Sequence, residues 1–148
     1  MPNIIVGKVL HLFVSIKGKK ERDSLESLSL DKDGVVGDKF YAKNPLRAIL
    51  LTSLSSYNLA INNDIELEYG LLGENIIIDY DPYDLKPGDT LQVGEVELEI
   101  AQNCTLCNGL SKVHPKLPKL LKDGRGVFVK AITNGRVKKG DNVFLLRN

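Results

Sequence analysis

A mainly β fold, closed or nearly closed into a barrel with one or two short helices, is what this chain predicts. Three observations carry that reading. Short apolar segments, several with period-two alternation, recur at regular spacing along the 148 residues. Gly, Pro, Asn and Asp punctuate them evenly, with no low-complexity tract, fixed-period repeat or linker. The helices that an α/β sheet requires between its strands are missing from the pattern. At 43% hydrophobic and 26% charged, the chain fits a single domain over residues 1–148 whose core forms without disulfide or metal staples.

Taken in order, Ile4 to Ser15 is rich in Val, Ile, Leu and Phe and reads as a long strand. Leu25 to Leu30 alternates Leu with Glu and Ser, as a half-buried strand does. Ala48 to Thr52 is a further apolar strand. Ser53 then offers a helix N-cap, with Leu54, Tyr57 and Ile61 at helical spacing behind it. Thr90 to Val93 and Val96 to Ile100 flank Gly94-Glu95, and glycine in the first turn position fits a type II′ hairpin. A second hairpin is expected where Val127 to Ile132 and Val137 to Leu146 flank Asn134-Gly135, with Lys138-Lys139-Gly140-Asp141 interrupting the returning strand. A second short helix fits the stretch near Lys116 to Lys122.

Charge and apolar run lengths exclude several classes of function. Lys plus Arg number 20 against 19 Asp plus Glu, a net charge of +1 that argues against a phosphate-tracking nucleic-acid surface. Apolar runs such as Ala48–Leu51 and Ile76–Ile78 fall far short of the roughly 18 residues that a membrane-spanning helix needs. Met1 to Lys8 shows no basic region followed by a sustained apolar stretch, so the expected location is the cytoplasm. There, Cys104 and Cys107, three positions apart, are expected as thiols with chemistry to perform rather than as a structural bridge.

Three glycine-marked or thiol-marked segments interrupt the strand pattern. Asp33-Gly34-Val35-Val36-Gly37-Asp38-Lys39 combines two glycines, which permit a tight backbone, with the Asp38 carboxylate; by itself it also reads as an ordinary loop with a solvated Asp. Gly73-Glu74-Asn75-Ile76 stands directly before an apolar strand, where Glu and Asn either hydrogen-bond a ligand or fix a turn. Cys104-Thr105-Leu106-Cys107 leaves the strand ending near Ile100 and enters a segment with His114, Pro115 and Pro118. Structural zinc needs a second ligand pair, and only His11 and His114 are available, with His11 inside an expected strand. A thioredoxin-type pair needs a βαβ unit, and none is read here. What remains is a nucleophilic or metal-binding thiolate, with Lys112, Lys116, Lys119, Lys122 and Arg125 near in sequence; those cations favour a thiolate and bind oxyanions, or form the solvated face of a short helix. Cys107 also reads as a small buried hydrophobe.

The order of these motifs along the chain is informative as a set. Gly34-Val35-Val36-Gly37-Asp38 is followed by Arg47, by Gly73-Glu74-Asn75-Ile76 and by Leu85-Lys86-Pro87-Gly88-Asp89. Cys104, Arg125-Gly126-Val127-Phe128 and Gly135-Arg136-Val137-Lys138-Lys139-Gly140-Asp141 complete the series. From about Lys8 to Val143 the chain resembles a MOSC domain, the module found at the C-terminus of molybdenum cofactor sulfurases and in stand-alone bacterial proteins.

The resemblance implies a barrel of the pyruvate-kinase type and a role in molybdenum-cofactor or sulfur chemistry. It implies that Cys104 carries sulfur or ligates molybdenum, and that Asp38, Arg47, Glu74, Asn75 and Arg125 line one pocket for an anionic ligand. The chain departs from the family where a His often follows the Gly-Asp pair, since Phe40 stands after Lys39. It also carries a second nearby thiol, Cys107, through which bound sulfur can leave as the pair closes to a disulfide. No pyridoxal-phosphate domain fits in this length, so a cysteine desulfurase or a molybdoenzyme is the implied partner. A non-catalytic adaptor barrel with incidental thiols is the main alternative, and reduction of N-hydroxylated compounds with an outside electron donor is a third.

Overall fold

The computed structural model describes residues 4–19, 22–103, 113–122 and 124–146. Its strands are β1 (Ile4–Ser15), β2 (Arg22–Ser24), β3 (Ser27–Asp31), β4 (Gly34–Val35), β5 (Ile49–Ser53), β6 (Ile76–Ile78), β7 (Thr90–Val93), β8 (Val96–Asn103), β9 (Val127–Ala131), β10 (Gly135–Lys138) and β11 (Asn142–Leu145). Lying wholly within the described residues are helices α1 (Leu54–Asn62) and α2 (Leu117–Leu120).

Seven strands close a barrel in the order β1-β11-β7-β8-β9-β5-β6 and back to β1. The mainly β barrel expected from the strand spacing is therefore what forms, and β1 has the bounds read from its apolar run. β1 is long enough to serve several neighbours because register shifts between Ile5 and Gly7 and between Val9 and His11 bend it. Its first half pairs with β11, its middle with β6, and its end, Phe13 to Ser15, with β2. Outside the ring, β10, β3 and β4 form a small second sheet.

Burial follows the two-residue period of each strand. Ile76 and Ile78 of β6 join Leu12, Leu51, Leu91, Leu98 and Val129 in the barrel interior. Ile77 points the other way, into a second cluster with Tyr57, Ala60, Leu117 and Leu121, where α1 and α2 cover the barrel wall. β6 is apolar at all three positions because both of its faces are covered. α1 begins where its sequence signal placed it: Ser53 is extended at φ −92° and ψ 147°, and its Oγ accepts from the Ser55 amide at 3.1 Å.

The Gly94-Glu95 hairpin forms, with Val93 opposite Val96 and Gly94 at φ 59°. The hairpin expected around Asn134-Gly135 does not. β9 pairs with β5 and β8, whereas β10 turns away to pair with β3. Two contacts override the local turn signal. Ile132 donates its amide to the Glu97 carbonyl at 2.8 Å, holding the end of β9 on β8, and Val137 is buried opposite Leu28 in the outer sheet. The stretch from Val137 to Leu146 is accordingly split between β10 and β11, with the break at Gly140 (φ 89°). A second correction concerns the absent βαβ unit. β5, α1 and β6 form one, since β5 and β6 are parallel, and a three-residue strand was too short to reveal its pairing.

Candidate functional site

Asp38 follows β4 in a turn and is buried. Its Oδ1 accepts the Ser15 amide at 2.7 Å and Asn75 Nδ2 at 3.2 Å, and its Oδ2 accepts the Phe40 amide at 3.0 Å. Asn75, just before β6, is equally committed: Oδ1 accepts the Leu50 amide at 3.0 Å and Nδ2 also donates to the Phe13 carbonyl at 3.1 Å. The two side chains tie the end of β1, the start of β5 and the start of β6 together.

Glu74 is fully buried, and one carboxylate oxygen, Oε2, accepts from the Tyr57 hydroxyl of α1. The other, Oε1, has no hydrogen-bond partner among the described residues. Burial pushes the Glu74 carboxyl above its ordinary value, against the opposing pull of the Tyr57 hydrogen bond. Burial likewise pushes the Tyr57 phenol up, with the Glu74 charge adding to it.

Arg22, on β2 opposite Ser15, reaches over this pair. Its Nη1 donates to the Glu74 carbonyl at 3.2 Å and stands 4.0 Å from Asp38 Oδ1. Burial lowers the Arg22 guanidinium from its ordinary value; Asp38 and Glu74 pull it back and Arg125 pushes the same way as burial. Arg125, just before β9, donates from Nε to the Leu72 carbonyl at 3.0 Å. Thr52 Oγ1 donates to the Arg125 carbonyl at 2.9 Å, fixing the backbone from β5.

These residues border a cleft of about 410 Å³ lined by Arg22, Arg47, Arg125, Phe40, Asn75 and Phe128, among others. Pairing of Leu50 with Phe128 brings the Phe128 ring beside the start of β5, and the Arg47 guanidinium lies 5.3 Å from its centroid. Ser15, Lys39, Glu68 and Tyr69 line a neighbouring cavity of about 390 Å³, which shares Arg22, Phe40, Gly73 and Arg125 with the first. Forked guanidinium donors beside aromatic surface suit a planar organic anion.

Of the residues singled out in the sequence, Arg47, Asn75 and Arg125 line the cleft, while Asp38 and Glu74 are buried behind it. Cys104 and Cys107 lie outside the described residues, as does Lys112. Lys116 and Lys119 face a different cavity, of about 530 Å³, with Asn63, Ile65, Pro115 and Leu120. His11 stacks on Tyr69 at 4.5 Å and His114 Nδ1 accepts the Lys116 amide at 3.1 Å. Phe40 lines both lobes of the cleft. Arg22 and Phe128 were not picked out as lining residues. Arg22 sits in the basic stretch Lys17-Gly18-Lys19-Lys20-Glu21-Arg22, which offers no sign of which cation turns inward.

Known structures share this architecture. The YuaD protein from Bacillus subtilis superposes with a TM-score of 0.80 at 17% identity, covering 99% of each chain. YiiM from Geobacillus stearothermophilus gives a TM-score of 0.69 at 18% identity, covering 99% of this chain and 76% of that one. YiiM from Escherichia coli gives 0.67 at 18% identity, covering 95% and 70%. No curated protein matches in sequence. The family model described as the MOSC domain matches residues 38–144, which spans most of the barrel and the Arg47, Asn75 and Arg125 side of the cleft. The chain belongs to the MOSC domain family.

Proposed function

We propose that this protein binds the molybdenum cofactor, or carries sulfur for it, with Cys104 as metal ligand or persulfide acceptor. The observation that supports the reading is the cleft in which Arg22, Arg47 and Arg125 converge beside Phe128, in a chain of the MOSC family. An anionic pterin fits that donor set: guanidiniums for its oxyanions and an aromatic face for its ring. Arg47 and Arg125 would hold the anion, and Asp38, Asn75 and Glu74 would fix the wall behind it through their hydrogen bonds to the Ser15 and Leu50 amides and the Tyr57 hydroxyl. Bound there, the cofactor would supply oxygen-atom or redox chemistry. Asn103, the last residue of β8, pairs with Val127, two residues beyond Arg125, and Cys104 is next in sequence.

In the sulfur-carrying form of the reading, the Cys104 thiolate attacks the outer sulfur of a partner's persulfide. One S–S bond forms on Cys104, the partner's S–S bond breaks, and its thiolate leaves, with no net oxidation. Attack by the Cys107 thiolate on the inner sulfur then expels hydrosulfide and leaves a Cys104–Cys107 disulfide, which an external dithiol reduces. A cysteine desulfurase as donor or a molybdoenzyme as recipient is the partner this chemistry needs. The exposed side chains of Phe40, Tyr69 and Leu71 at the cleft offer it apolar surface.

The deciding experiment measures pterin, by fluorescence after oxidation, in protein purified from a host that makes the cofactor, beside Cys104→Ala. Persulfide on Cys104 is measured by mass spectrometry in the same samples. Pterin or persulfide in the wild type, reduced in Cys104→Ala, is expected. Neither in the wild type overturns the proposal in favour of a non-catalytic adaptor.

A further inference from the structure

Glu74 has no exposure to solvent, and its Oε1 meets no donor among the described residues. Its other carboxyl oxygen takes the Tyr57 hydroxyl, which in turn accepts the Gly70 amide at 3.2 Å. One phenol therefore joins the buried carboxyl to the turn at residues 68–71. All four residues of that turn, Glu68, Tyr69, Gly70 and Leu71, border the cavity of about 390 Å³. Three of them are exposed, and the turn's own closing bond, from the Leu71 amide to the Glu68 carbonyl, is long at 3.3 Å. Leu72, which follows, is fully buried, and Gly70 and Gly73 beside it stand at φ 96° and 86°. The segment is thus anchored at Leu72 and tied down by Tyr57 and by Tyr69, whose ring lies 4.9 Å from Tyr57 and 4.5 Å from His11.

We propose that Glu74 is a proton-operated latch on this turn: neutral, it keeps the turn down on α1 through Tyr57; ionised, it admits water, and the turn lifts and reshapes the cavity. A neutral carboxyl leaves one polar group unmatched, whereas a carboxylate there is a buried charge with an oxygen unused, which costs far more. Water has to reach Oε1 for that charge to persist. Asn75, next in the chain, is bonded to Asp38 and to the Leu50 amide, so the β6 side is closed. The glycine-flanked turn is the side that gives. Burial pushes the Glu74 carboxyl up, with the Tyr57 hydroxyl, the Glu74 and Gly70 amides and the Arg22 charge pulling the other way. Burial also pushes the phenols of Tyr57 and of Tyr83, after β6, away from neutrality, and the guanidiniums of Arg22 and Arg125 stay charged there. Asp38, beyond Arg22, accepts three protein hydrogen bonds. The turn itself carries Glu68 and packs on His11, whose imidazole is lowered by burial and then by Lys139. The inference concerns the chain's own protons and rests neither on the cofactor nor on Cys104.

The test is an NMR pH series on the labelled full chain, reading glutamate ¹³Cδ shifts together with the amide shifts and hydrogen exchange of the turn. The Glu74 signal, identified by its loss in Glu74→Gln, is expected to titrate above the ordinary 4.5. The Gly70 and Leu71 amides should shift with the same midpoint. Their protection, corrected for intrinsic exchange, should fall about tenfold as Glu74 ionises, as loss of one hydrogen bond does. Glu74→Gln should abolish both changes, whereas His11→Gln and Glu68→Gln should retain them. Tyr57→Phe keeps the carboxyl and removes the tie, so Gly70 should be weakly protected at every pH; this variant serves if Glu74→Gln fails to fold. Turn changes that persist in Glu74→Gln, or that retain their pH dependence in Tyr57→Phe, overturn the latch. Ionisation of Glu74 with the turn unmoved overturns it as well, as does a Glu74 midpoint at or below the ordinary value.

Discussion

Asn75 Nδ2 donates to Asp38 Oδ1 at 3.2 Å, and behind the cleft this one contact joins the turn after β4 to the start of β6. Asn75→Ala removes it and also strands the Leu50 amide and the Phe13 carbonyl in buried surroundings. Each orphaned group costs about 1–3 kcal/mol, so the variant should lose about 3 kcal/mol or more in urea unfolding. A loss below about 1 kcal/mol would show that water replaces these bonds and that Asn75 is not the tie described.

Glu74 makes stability depend on pH. Its folded carboxyl lies above the usual 4.5, so the folded chain binds more protons than the unfolded chain between those two values. The contribution is complete below about 4.5 and is lost as pH rises through the folded value. Glu74→Gln, which cannot ionise, should therefore gain stability relative to the wild type as pH increases. Thermal melts of both proteins from pH 5 to 9 check the sign; parallel curves would refute it.

Gly126→Ala should be costly although its backbone conformation is ordinary. A Cβ there would meet Thr52 Oγ1 at 2.8 Å, Leu50 Cδ1 at 2.9 Å and the Leu51 carbonyl at 3.1 Å. Overpacking of this kind costs about 1–3 kcal/mol. Because Thr52 also holds the Arg125 carbonyl, the same variant should also lower the pterin content of protein purified from a host that makes the cofactor. Destabilisation with unaltered pterin content would mean that the arginine is positioned by other contacts.

Tyr83 supports the cap of α1 from outside the helix. Its hydroxyl accepts the Ser53 amide at 2.9 Å and shares a 2.6 Å hydrogen bond with Ser56 Oγ. Tyr83→Phe should cost about 1–3 kcal/mol, read from chemical denaturation. Burial raises this phenol to about 12. The native state favours its neutral form, so the wild type should lose stability as pH climbs from about 10 towards that value, and the Phe variant should lack this component. Matching alkaline profiles for the two proteins would argue against it.

What the sequence revealed and what it concealed divide along the range of the interactions. β1, the Ser53 cap and the Gly94 turn are set by residues within a few positions of one another, and each was legible. The outward turn of β10 was not, because the Asn134-Gly135 signal is local while Val137 is paid back by Leu28, more than half the chain away in sequence. Ile76 to Ile78 read as a strand, but its parallel partner is fixed by α1 crossing between them. At the site, Arg125 and Arg47 stood out beside marked motifs. Arg22 is brought in only by the pairing of β2 with the end of β1, and short strands carry little periodicity.

The pairing of Ile4 with Leu145 closes the ring by joining the first and last strands described. Such a seam has nothing to hold to until almost every residue between has been synthesised. The barrel therefore closes only once β11 is available, late in folding and toward the slow end of the range for domains of this size. Until then β1 presents an unsatisfied edge, which makes this period the one in which neighbouring chains most readily pair with it.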